Sequence, residues 1–131
     1  AASGIAGDSV RRVVLCTGKV YYDLVVEREK RQITDVAVVR LEQLYPFPAA
    51  ALGAELVKYP NAEVVWCQEE PCNMGAWQFM DRRIEALLAS LSVQAKRPAY
   101  AGRLEAAATA TGLHHVHDAQ QAKLVDDALK A

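Results

Sequence analysis

A chain of 131 residues, 52% of them hydrophobic, is long enough for one domain with its own core and too apolar to stay disordered. Its 15 basic and 16 acidic side chains leave a formal net charge of −1, which gives no electrostatic case for nucleic acid or an anionic membrane as partner. No apolar run approaches a membrane span, no secretory signal pattern is present, and Cys16, Cys67 and Cys72 make no disulfide framework, so the chain reads as intracellular and reduced.

Residues 1–9 begin with Ala1 and are mostly small, as in a linker or cloning remnant, so a domain is expected over 10–131, cut from a longer protein. Val10 to Thr17 reads as a first strand, with Val13-Val14-Leu15-Cys16 as its buried run. Thr17-Gly18 breaks that pattern and is expected to cap a helix over Lys19 to Arg31. Val20 and Leu24 lie on its inner stripe, widened by Tyr21 and Val25. The run Glu27-Arg28-Glu29-Lys30-Arg31 is a solvated face and end.

Val36 to Leu41 is the second buried strand, and the prolines of Leu44-Tyr45-Pro46-Phe47-Pro48 enforce a loop after it. A helix follows from Pro48 to Tyr59 with Leu52, Leu56 and Val57 as its inward candidates, ended by Pro60-Asn61. Glu63 to Gln68 is the third strand. Glu69-Glu70-Pro71 is expected as an acidic loop, because proline cannot extend strand pairing, and Asn73-Met74-Gly75 as a turn. The next helix carries Trp77, Met80, Ile84, Leu87, Leu88 and Leu91 on one face. Pro98 to Arg103 is a short strand and Ala106 to Gly112 a small-residue loop. A last helix spans His114 to Lys130, with Val116, Ala119, Ala122 or Lys123, Val125 and Leu129 inward.

Strands alternating with helices predict a mostly parallel sheet with helices on both faces. Right-handed crossovers gather Thr17-Gly18-Lys19, Arg40-Leu41-Glu42-Gln43 and Glu69-Glu70-Pro71 at one edge, where open α/β sheets place function. Glu69 and Glu70 are adjacent on extended backbone and therefore point to opposite sides, which disqualifies them as a converging acid/base pair. Lys19, at a helix start, can meet an anion, but neither a phosphate loop nor a G-x-G-x-x-G fingerprint occurs. His114, His115 and His117 lack partner ligands for a metal, and Cys67 with Cys72 lacks a second pair. No nucleophile–base arrangement stands out, so no catalytic residue is assigned.

Three stretches carry a resemblance: Cys16 to Leu24, Val39 to Pro48, and Trp66-Cys67-Gln68-Glu69-Glu70-Pro71-Cys72-Asn73-Met74-Gly75-Ala76-Trp77. With Tyr100-Ala101-Gly102-Arg103 and Ala108 to Gly112 following, the chain resembles the C-terminal domain of the decarboxylating dehydrogenase component of the 2-oxoglutarate dehydrogenase complex. The resemblance implies a transketolase C-terminal-like, three-layer α/β fold whose sheet is mostly parallel but mixed, with one antiparallel edge strand. It implies an enzyme using thiamine diphosphate and magnesium to decarboxylate 2-oxoglutarate, with both cofactors held by preceding domains and none by this fragment. It further implies transfer of the succinyl group to the dihydrolipoyl succinyltransferase component, a homodimer, and a cytoplasmic or mitochondrial-matrix location.

On that resemblance this domain packs on the preceding thiamine-binding domains and is inactive alone. An adenine-containing effector, AMP or acetyl-CoA, is expected near Lys19, Arg40 and Gln43, and an inter-domain contact at Glu69, Glu70, Asn73, Trp77 and Arg103. Two departures from the family pattern bear on the interface: Leu104-Glu105 follows Arg103 where proline is usual, and Cys72 stands where lysine or alanine is common. Two other readings are kept: a free-standing flavodoxin-like module for a phosphate ligand, and the equivalent domain of a pyruvate or branched-chain enzyme.

Overall fold

A computed structural model describes residues 7–71, 73–103 and 114–130. Four strands, β1 (Arg12–Cys16), β2 (Val36–Arg40), β3 (Glu63–Pro71) and β4 (Ala99–Arg103), form one sheet in the order β2-β1-β3-β4. All three pairings are parallel. Four helices accompany them: α1 (Val20–Lys30), α2 (Ala49–Leu56), α3 (Trp77–Ala89) and α4 (His114–Leu129). The antiparallel edge strand implied by the resemblance is not among the described residues, where both edges, β2 and β4, run parallel to their neighbours.

Strand alternation divides the core into two layers. Val13, Leu15, Ala37, Val39, Val64 and Trp66 face α2 and α3, meeting Leu52, Leu56, Met80, Ile84 and Leu88. Val14, Cys16, Val36, Val38, Val65 and Cys67 face α1 and α4, meeting Val20, Leu24, Leu124, Val125, Ala128 and Leu129. Both faces of the sheet are covered, which is why its strands read as continuous apolar runs rather than alternating ones.

Several local expectations need correction. β3 does not stop at Gln68 but continues to Pro71, which aligns with Arg103 across a register shift. Proline is tolerated there because β1 accompanies β3 only as far as Trp66, leaving that end of the strand one neighbour and less demand for donors. Thr17-Gly18 does not cap α1; the N-cap position is Lys19, with no side-chain capping bond. Gly18, at φ +79°, supplies the turn instead. Val57 is 49% exposed rather than inward. On α4 the buried stripe is Leu124, Val125, Ala128 and Leu129, while Ala119, Ala122 and Lys123 are exposed. Two i,i+4 pairs face the sheet there, so counting inward positions from Val116 misplaces the stripe.

Candidate functional site

The carboxyl edge of the sheet is built around one buried side chain. Gln68 ends the apolar run of β3 and is only 2% exposed. Its amide nitrogen donates to the carbonyls of Glu70 and Met74, at 3.0 and 2.9 Å. Its carbonyl oxygen accepts from the Trp66 indole N–H and the Trp77 backbone N–H, both at 2.9 Å. Two donor hydrogens and two acceptor sites are thereby all used, which is what a buried amide requires. The bonds tie the strand end, the turn at Asn73 to Ala76 and the first residue of α3 into one unit.

Neighbouring groups close on the same unit. Gly75 has φ +66°, and a Cβ there would lie 3.0–3.1 Å from the Glu70 side chain, so only glycine lets the turn pass this close. The Tyr100 hydroxyl donates to the Glu70 carbonyl at 3.2 Å, and its ring sits 5.2 Å from that of Trp77. Gly102 admits the Tyr100 ring, since a Cβ at that position would meet the phenol oxygen at 2.4 Å.

Glu69 and Glu70 do part to opposite layers. The Glu69 carboxylate accepts from Lys19 Nζ at 2.6 Å, linking β3 to the start of α1. Glu70 turns toward Gly75 on the α3 side. The Lys19–Glu69 pair spans the point where the chain reverses its progress across the sheet, between β1 and β3. Lys19 is 75% exposed, so the pair contributes at most about 1 kcal/mol.

Arg40, at the end of β2, donates to the Tyr22 hydroxyl at 3.2 Å and lies 5.4 Å from the centre of that ring. Gln43 donates to the Tyr45 carbonyl at 2.8 Å. Arg40 and Gln43 share the wall of an open groove of about 600 Å³ between α1 and α2, with Tyr21, Glu42, Pro48 and Glu55. Lys19 is not on that wall. The three residues expected together around an effector are thus split between the groove and the Glu69 contact. One Glu55 oxygen is buried with no hydrogen-bond partner among the described residues, while the other accepts from Lys58 at 3.0 Å.

The remaining candidates divide as follows. Asn73 lies in the turn held by Gln68, and Trp77 opens α3. Arg103 ends β4, but its side chain, Cys72 and the side chains of His114, His115 and His117 lie outside the described residues. Cys16 and Cys67 are buried. Burial pushes the Cys16 thiol up to about 12, with the Arg40 charge opposing weakly, and pushes Cys67 higher still. Neither is a nucleophile at neutral pH. Gln68 is the residue that sequence reasoning did not single out. Its signal is a polar side chain inside an apolar strand, two residues from a tryptophan whose buried N–H needs an acceptor.

The family described as 2-oxoglutarate dehydrogenase C-terminal matches residues 2–129. The chain is similar to the protein named 2-oxoglutarate dehydrogenase E1 component in Brucella anthropi, Brucella ovis and Brucella canis, with 59% identity over 120 residues in each case. The aligned region covers 92% of this chain and 12% of each relative, so the chain spans about an eighth of the length of the curated relatives it matches.

Proposed function

This chain belongs to the 2-oxoglutarate dehydrogenase C-terminal family, and we propose that it acts as the non-catalytic packing domain of an E1-type enzyme. The whole enzyme, on this reading, uses thiamine diphosphate and magnesium to decarboxylate 2-oxoglutarate and hands the succinyl group to the succinyltransferase component. The observation that carries the reading is the use made of the strand-end residues. Gln68 spends its full hydrogen-bonding capacity on the turn, and Glu69 is engaged by Lys19. What these residues build is a rigid edge rather than a reactive centre.

Apolar surface supports the same reading. Tyr45 is 71% exposed and rests on Phe79, with ring centres 4.1 Å apart, while Arg83 stacks on the Phe79 ring at 3.8 Å. Tyr22 and Val26 on α1 are 56% and 64% exposed. Such surfaces suit contact with preceding domains and a second subunit. Among the described residues no group of three or more His, Cys, Asp and Glu can hold a metal ion, so the described donor set does not fit magnesium. On the family resemblance, magnesium and thiamine diphosphate are assigned to other domains of the enzyme. No helix among the described residues is long and apolar enough to cross a membrane, and with bacterial relatives the enzyme is assigned to the cytoplasm.

Arg40 and Gln43, in the groove, form the stronger part of the proposed effector site, and Lys19 the weaker. The family match favours this reading over a free-standing phosphate-binding module. The test has two arms. The chain alone, given 2-oxoglutarate, thiamine diphosphate and magnesium, releases no carbon dioxide; turnover would overturn the non-catalytic assignment. In the full-length enzyme, Arg40→Ala weakens AMP or acetyl-CoA binding in calorimetry, and unchanged affinities would remove the groove from any effector site.

A further inference from the structure

The groove between α1 and α2 is short of positive charge for a nucleotide. Among the described residues on its wall Arg40 is the one cation, against the carboxylates of Glu42 and Glu55. Lys58 holds Glu55, which leaves Arg40 set against Glu42. A phosphate monoester carries a charge of about −1.5 to −2 at neutral pH, so one arginine does not balance it. The first turn of α1 supplies a second cation. Resting on the effector reading of Arg40 and Gln43, we propose that Lys19 is a swinging cation that exchanges Glu69 for the phosphate of a groove-bound nucleotide, so that Glu69 restrains effector binding.

Sheet order puts the lysine between its two partners. β1 lies between β2 and β3, and Lys19 follows directly on the turn that ends β1. On the β3 side Lys19 Nζ donates to the Glu69 carboxylate at 2.6 Å. On the β2 side Cys16 is aligned with Arg40, and the Leu41 N–H donates to the Cys16 carbonyl at 2.8 Å. The same turn of α1 reaches the groove. Tyr21 lines it, and Tyr22, whose N–H donates to the Lys19 carbonyl at 3.0 Å, holds Arg40 through its hydroxyl. Residues three apart in helical geometry are surface neighbours, so Lys19 and the Tyr22–Arg40 contact share one face.

The exchange moves the lysine and not the acid. Lys19 is 75% exposed on a flexible four-carbon stem, whereas Glu69 is 20% exposed on β3, next to the buried Gln68. An exposed ion pair is weak, and it gives way to a phosphate already gripped by Arg40. Linkage makes the effect reciprocal: the factor by which Glu69 lowers effector affinity is the factor by which the effector loosens the Lys19–Glu69 tie between α1 and β3.

The experiment is calorimetry of AMP binding to the full-length enzyme at about 0.15 M salt, where distant charges are screened. Glu69→Gln keeps the shape of the side chain and is expected to tighten binding about two- to fivefold, the range of an exposed ion pair. The gain is expected to vanish in the Lys19→Ala, Glu69→Gln double variant compared with Lys19→Ala alone. Arg40→Ala separates the two readings. If it leaves AMP affinity unchanged, the groove is not the effector site and the exchange falls with it. If Arg40→Ala weakens binding while Glu69→Gln leaves it unchanged or weaker, the groove stands and the exchange is overturned. A gain that survives Lys19→Ala overturns it as well, because Glu69 would then act through its own field and not through the lysine.

Discussion

Gln68 shows how one amide can govern a whole edge. Replacing it with leucine keeps roughly the volume but removes two donors and two acceptors. The Trp66 indole N–H, the Trp77 backbone N–H and the Met74 carbonyl then lose the partner they have here, while the Glu70 carbonyl keeps Tyr100. Each buried polar group left unpaired costs about 1–3 kcal/mol, and water reaches some of these, so Gln68→Leu is expected to destabilise the domain by about 3 kcal/mol. Urea denaturation measures it; a loss under about 1 kcal/mol would mean that the hub is structurally dispensable. The divergence of Glu69 and Glu70 was legible from strand alternation alone. The role of Gln68 was not, because its four partners come from three segments that only the folded turn brings together.

At the scale of elements, α4 shows what holds a helix to the far side of the sheet. Arg12 donates to the carbonyls of Ala128 and Lys130 at 2.9 and 2.7 Å. Arg11 donates to those of Leu129 and Lys130 at 3.0 and 3.1 Å. The last carbonyls of a helix have no intrahelical partner and carry the negative end of its dipole, so two guanidinium groups suit this end. Asp35 and Glu63 hold Arg11 and Arg12 in turn. Arg12 is only 12% exposed, and Arg12→Ala is expected to cost about 1–2 kcal/mol and to speed amide exchange in the last turn of α4. Unchanged exchange over residues 126–130 would show that Arg11 alone suffices. Element order was readable from periodicity, but the end of β3 and the inward stripe of α4 were not. Both depend on which neighbours an element meets, and local pattern does not record that.

For the molecule as a whole, the two central thiols predict a limit at high pH. Both are held protonated by burial, with folded values raised above the ordinary 9.0, whereas in the unfolded chain they ionise near that value. A raised folded value gives stability that is complete below pH 9 and is lost as pH rises toward about 12 for Cys16 and beyond for Cys67. Each thiol removes about 1.4 kcal/mol per pH unit in that window, so the pair removes about 2.8 kcal/mol per pH unit. Denaturation midpoints of the Cys16→Ala, Cys67→Ala variant, followed from pH 8 to 11, should fall less steeply than those of the parent chain. Equal slopes would show that the thiols ionise without unfolding.

The amino-acid sequence by itself determined the α/β alternation, the two-sided burial of the strands, the edge that gathers Lys19, Arg40 and Glu69, and the family resemblance. These are properties of periodicity, glycine and proline placement and local wording, all of which act within a few residues. The tertiary structure alone decided that Lys19 meets Glu69 while Arg40 and Gln43 line a separate groove, that Gln68 is the buried hub, and that Cys16 and Cys67 are buried in the same layer. The Lys19–Glu69 contact joins residues 50 apart and depends on strand register, whereas the Gln68 hub depends on how the turn after β3 folds back on the strand. Hydrophobic burial drives the chain to collapse, but it is non-directional; the directional hydrogen bonds of the sheet set which side chains become neighbours.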